Sequence, residues 1–196
     1  MIATLTKACR QLTAPALVVL TLLTTTACGA GALQQREALR KESSAAELQR
    51  RGEVCAKLGD LTRAEQYLVA ALKAGGNEKQ VTQRLLVVCV ADQRYPAAVE
   101  YAERYLQRHP DDDDVKFAAA TLHVALGDPA RARLLLEQVL RVRPDWPEAH
   151  YALAGVLREQ GEARELADAH DLAYLKGRPQ GSLSAAAKAH LVERTP

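Results

Sequence analysis

A short turn recurs along this chain at a constant step. Gly59-Asp60, Gln93-Arg94, Gly127-Asp128 and Gly161-Glu162 begin at positions 59, 93, 127 and 161, each 34 residues after the last. A period of this length marks stacked supersecondary units, each too small to bury its apolar face alone. Aligning on the turns divides the chain into units 45–78, 79–112, 113–146 and 147–180. Each unit reads as two helices, A and B. Gly follows helix A in three of the four, where a left-handed C-terminal cap is required. Pro96 and Pro129 open helix B, a place where a missing N–H costs little. Pro110 and Pro144, also 34 apart, stop helix B in units two and three. With 48% hydrophobic but only 4% aromatic residues, the core must come from Ala, Leu and Val, which favours closely packed helices.

The residues inside each unit resemble the tetratricopeptide family. Position 8 of that pattern is small, and Gly52, Ala120 and Ala154 supply it, with Leu86 departing. Position 20 is Ala64, Ala98 and Ala132; position 24 is apolar at Leu68, Ala102 and Leu136; position 32 is Pro110 and Pro144, with Gly76 in unit one. Unit four strays, with Leu166 and His170 at positions 20 and 24, whereas a one-residue insertion would restore Ala167 and Pro179. The resemblance implies an all-α, right-handed α-solenoid of about four helix–turn–helix units. Ser182 to Val192 can add an amphipathic helix that caps the C-terminal end, so residues 181–196 read as cap and tail.

The first 27 residues read as an export signal. Lys7 and Arg10 precede an apolar run from Ala14 to Leu23, followed by the small residues Thr24 to Ala27. The apolar run is too short to span a bilayer about 30 Å thick. Thr25-Thr26-Ala27-Cys28 resembles the lipobox of bacterial lipoproteins, with Thr25 where Leu is usual. That resemblance implies a lipid on Cys28, with residues 28–44 as a polar tether. Gly29, rather than Asp, implies sorting to the outer membrane, facing the periplasm. Both surplus positive charges lie in the signal, so residues 28–196 carry 24 basic and 24 acidic groups. A neutral body has no electrostatic footprint for nucleic acid.

Position 11 of helix A holds Cys55, Cys89, His123 and Leu157 in successive units. Equivalent positions in stacked helices lie about 8–10 Å apart, whereas zinc needs ligands about 2.0–2.3 Å from one centre and a disulfide needs Cα atoms within about 7 Å. The column therefore reads as packing, and no metal or cofactor is expected. Asp111 to Asp114 reads as a helix N-terminal cap rather than a calcium loop. With no phosphate loop, paired-His motif or nucleophile elbow, no catalytic site is expected and the chain is not read as an enzyme.

The family's helix A lines a concave face through positions 2, 5, 9 and 12. By that resemblance Val87, Val90, Phe117, Val124 and Tyr151 form a partner-binding groove, edged by Gln49, Glu53, Gln83, Thr121, Glu148 and Arg158. An amphipathic helix or extended apolar peptide would fit it. The alternative is that these residues pack within the stack or beneath the terminal helix. Gln49 and Glu53 stand where the carboxylate-clamping variant of the family has basic or amide groups, so a terminal carboxylate is not the expected ligand. The whole chain is thus similar to outer-membrane lipoproteins that assist type IV pilus secretins, and reads as a non-catalytic scaffold for an envelope complex. The alternative is an adaptor or regulator of peptidoglycan enzymes or of outer-membrane protein assembly.

Overall fold

The computed structural model describes residues 34–37, 39–161 and 164–192. The signal segment and Cys28 lie outside them. After helical turns at 34–37 and 39–42, the chain forms α1 (Ala45–Lys57), α2 (Leu61–Lys73), α3 (Glu78–Ala91), α4 (Tyr95–Leu106), α5 (Asp113–Ala125), α6 (Pro129–Val142), α7 (Pro147–Glu159), α8 (Arg164–Gly177) and α9 (Ser184–Val192). Consecutive helices pack as antiparallel neighbours. The chief contacts between non-consecutive helices join α1 to α3 and α5 to α7. Those are helices A, so α1, α3, α5 and α7 lie on the inside of the curve.

Local chemistry sets the boundaries. Ser44, Asp60, Asn77, Asp112 and Asp128 each accept a bond from the backbone N–H three residues on, satisfying a donor that the first turn leaves free. Helices α1, α3 and α5 end in one motif. The N–H groups of Asp60, Arg94 and Asp128 reach back to the carbonyls of Cys55, Cys89 and His123, at 2.9, 2.8 and 2.9 Å. This closure requires a left-handed residue just before, supplied by Gly59, Gln93 and Gly127 at φ 79°, 57° and 72°. Gln93 is the one described non-glycine residue with positive φ.

Within each unit the two helices cross over a column of alanines. Ala64, Ala98, Ala132 and Ala167 are all fully buried. In unit four, Ala167 is 1% exposed while Leu166 is 44% exposed. The insertion register is therefore the one adopted, with one extra residue ahead of α8. That shift places Asp171, with no exposed surface, where the other units bury Leu68, Ala102 and Leu136.

The two ends of the stack differ from its middle. Val81, Leu85 and Val88 of α3 are buried against the preceding unit, as are their counterparts Val115, Ala119 and Leu122 and then Ala149, Leu153 and Val156. Unit one has Glu47, Arg51 and an exposed Val54 there. Glu47 accepts bonds from Arg50 and Arg51, which hold its carboxyl down to about 2. At the other end α9 buries Ser184 and Ala187 against α8. The Tyr174 hydroxyl accepts from the Leu183 N–H at 3.3 Å and Ser184 Oγ donates to the Arg178 carbonyl at 2.6 Å. Both ends thus carry the closure that a finite repeat stack requires.

The Gln93 turn gives a direct test. An L residue in the left-handed region is strained by about 1–2 kcal/mol, and the Gln93 side chain is exposed. Replacing Gln93 with Gly should raise stability by about 0.5–1 kcal/mol once added chain entropy is subtracted. Calorimetry should show the thermal midpoint rising by about 1–4 °C. Replacing Gly127 with Ala should lower it.

Candidate concave interface

Helices α1, α3, α5 and α7 present the inner face. On it Val87 is 65% exposed, Val90 40% and Val124 37%. These three valines form the open apolar part. Phe117 and Tyr151 are half-buried and supported from behind. The Phe117 ring packs against Trp146 at 4.8 Å between centroids, and the Arg143 guanidinium lies 3.8 Å from the centre of the Trp146 ring. The Tyr151 ring meets Tyr174 of α8 at 5.3 Å and His190 of α9 at 6.4 Å. The terminal helix therefore covers one side of Tyr151, the alternative that the sequence left open for this face.

The charges bordering the face are engaged within the chain. Glu53 pairs with Arg84 at 3.2 Å and also accepts from the Gln49 amide. Asp114 takes Lys79 at 3.0 Å and Arg143 at 2.9 Å, which hold its carboxyl below the usual carboxylate range. Glu148 pairs with Arg178 at 3.1 Å, and Arg158 donates to the buried Asp171 at 2.7 Å. Three units repeat one clasp, from a base just after helix B to an acid in the first turn of helix A: Arg108 to Glu78, Arg143 to Asp114 and Arg178 to Glu148. What remains for a ligand is apolar surface flanked by amides and hydroxyls, including the exposed Gln83 and Thr121.

The position-11 column is packing in this structure. Cys89 is fully buried, and burial, with Glu65 adding to it, pushes its thiol up to about 11. Cys55 is a half-buried free thiol. His123 lies in the core with its ring nitrogens 3.6 Å from Glu103 and from Asp128. Among the described residues no group of three or more His, Cys, Asp or Glu converges as metal ligands would. The acidic run acts locally. Asp112 caps α5, and although burial pushes its carboxyl up, the Tyr105 hydroxyl at 2.8 Å and Lys79 hold it below its usual range. Among the described residues no helix is long and apolar enough to cross a membrane.

Family models described as tetratricopeptide repeat match residues 50–113 and 90–156. The chain carries tetratricopeptide repeats. Solved structures agree on the fold. YrrB, described as a tetratricopeptide protein with an unusual peptide-binding site, superposes with a TM-score of 0.65 at 20% identity, over 86% of this chain and 88% of its own. PilF of Pseudomonas aeruginosa superposes at 0.66 and 20% identity over 89% and 79%. MamA from AMB-1 superposes at 0.60 and 23% identity over 82% and 91%. No protein of curated function matches the chain in sequence. The tetratricopeptide fold is that of a protein–protein interaction scaffold. Its members are generally non-catalytic, and neither matching family model describes an enzyme.

Sequence reasoning missed Trp146, Tyr174 and His190 as parts of this face. Trp146, the last residue of unit three, is the N-cap residue of α7 and supports Phe117 of α5. Its being the only Trp of the chain was the available signal. Asp171 and Arg158 give a prediction here. Removing Arg158 strips the fully buried Asp171 carboxylate of its cation, at about 3–5 kcal/mol, whereas the Arg158 side chain is 28% exposed, so removing Asp171 leaves a charge that water still reaches. Chemical denaturation should therefore find Arg158→Ala markedly destabilised and Asp171→Leu close to wild type.

Proposed function

We propose that this protein is a lipid-anchored, non-catalytic scaffold on the periplasmic side of the outer membrane, holding a protein component of an envelope complex on its concave face. The observation that carries the binding reading is the open stripe of Val87, Val90 and Val124, with neighbouring charges already paired inside the chain. Such a face offers little to a charged ligand and fits an apolar helix or extended segment. YrrB, with its peptide-binding site, supports a peptide as ligand. Among envelope machines we favour the type IV pilus, and the fold shared with PilF supports that choice at the level of the fold alone. The anchor rests on the Thr25-Thr26-Ala27-Cys28 sequence and the export signal before it.

Two experiments separate anchor from groove. Labelled palmitate should enter the wild-type protein and be lost in Cys28→Ser; equal labelling of both overturns the anchor. The exposed valines make better groove variants than Phe117 or Tyr151, whose rings pack against neighbouring helices. Val87→Asp with Val124→Asp should leave the helical circular dichroism unchanged. In a deletion strain carrying that double variant, multimeric secretin should fall as it does in the deletion itself. Normal secretin in the deletion strain overturns the pilus assignment, and full complementation by the double variant overturns the groove.

A further inference from the structure

Unit four differs from its neighbours in what joins helix A to helix B. At the fourth position of helix A and the matching position of helix B, the first three units hold Leu48 and Tyr67, Thr82 and Tyr101, and Lys116 and Leu135. Unit four holds His150 and His170, and their Nδ1 atoms face each other at 2.8 Å. His150 Nε2 lies 2.7 Å from the Pro144 carbonyl. A carbonyl only accepts, so His150 carries its proton on Nε2 and presents a lone pair at Nδ1. His170 must then donate from Nδ1. At this position α7 and α8 are joined by one N–H···N bond between rings 5.0 Å apart between centroids, while Arg158–Asp171 and Tyr151–Tyr174 join the same two helices elsewhere along their length.

We propose that this histidine pair is an acid-sensitive fastener, and that on mild acidification α8 and α9 part from α7 and uncover Tyr151, while units one to three stay closed. One proton fits between the two Nδ1 atoms. A second proton, added at His150 Nδ1, sets two N–H donors against each other across the same 2.8 Å, and charging both rings would place two cations there, so the rings must separate. The titratable and charged groups around His170 are His150 on α7, Glu137 and Arg141 on α6 and Asp171 beside it on α8. Glu137 and Asp171 draw a proton toward the ring. Burial, and next the charge of His150, outweigh them and hold His170 below the ordinary imidazole value. A histidine whose folded pKa is depressed contributes stability above its unfolded pKa, and that contribution is lost as pH falls below it, where the unfolded chain binds the extra proton. The unfolded value is near 6.5.

The bond between His190 and Asp171, at 3.2 Å, ties α9 to α8, so the two separate together. A terminal unit contacts neighbours on one side only and can open without disturbing the rest of the stack. The bearing on partner capture, through Tyr151, rests on the concave-face reading above; the opening itself does not.

Hydrogen exchange of the full chain at pH 7.5 and 5.5, corrected for intrinsic rates, tests this. Amides of α8 and α9 should lose protection by about tenfold relative to α3 and α5, the equivalent of about one pKa unit of differential proton binding. His170→Leu, which installs the residue unit three has at this position, should abolish that difference. His170→Gln keeps an amide that can bond to His150 without titrating and should do the same, so the test survives if the leucine variant folds poorly. A uniform loss across all helices, or an acid response unchanged in both variants, overturns the proposal.

Discussion

The structure depends on how closely helices A and B approach within each unit. Ala64, Ala98, Ala132 and Ala167 lie at the four crossings, and any larger side chain there would force the pair apart. Because each pair is set by the same small residue, each hands the next unit the same surface, and the surfaces nest. Leu68 and Leu136 then fill the space that the alanines leave. The curvature that turns α1, α3, α5 and α7 inward follows from repeating one crossing, not from any single contact.

Charge is used within this frame to close the protein's own surface. The clasps from Arg108, Arg143 and Arg178 tie the far end of helix B to the start of helix A, and Lys79 links α3 to Asp112 and Asp114 at the start of α5. Exposed pairs of this kind contribute little individually. Their importance is in what they remove from the inner face. Valines 87, 90 and 124 are left beside groups that are already satisfied, so in the proposed binding mode selectivity comes from shape and apolar fit. Asp171, like Asp168, is a charge inside the core. It stands where leucine or alanine would serve packing, and its bonds to Arg158 and His190 give the last unit a specific closure.

Most of the fold was legible because it rests on local, repeated signals: the glycine turns, the alanine column, the prolines and the capping acids. The register of unit four was ambiguous because a one-residue insertion exchanges Leu166 for Ala167 in the crossing, and burial decided it. The inner face was legible only in part. Position within helix A identified Val87, Val90 and Val124, all of them exposed. It could not show that Trp146 with Arg143 supports Phe117, or that α9 lies over Tyr151, since those contacts join residues far apart along the chain. The His150–His170 bond was hidden for the same reason as the register, since without the insertion the two rings are out of phase.

The polar surface at Glu47 and Arg51 has a consequence for scale. With unit one sealed there and α9 closing the other end, the inner face has a set span of four A helices. At about 10 Å between neighbouring helices, that is a track of about 30 Å. A helical segment lying along it would need about 20 residues at 1.5 Å each, and an extended one about nine at 3.3 Å. In the proposed binding mode the end residues are the two stops of a ruler, setting how long a segment fits at once.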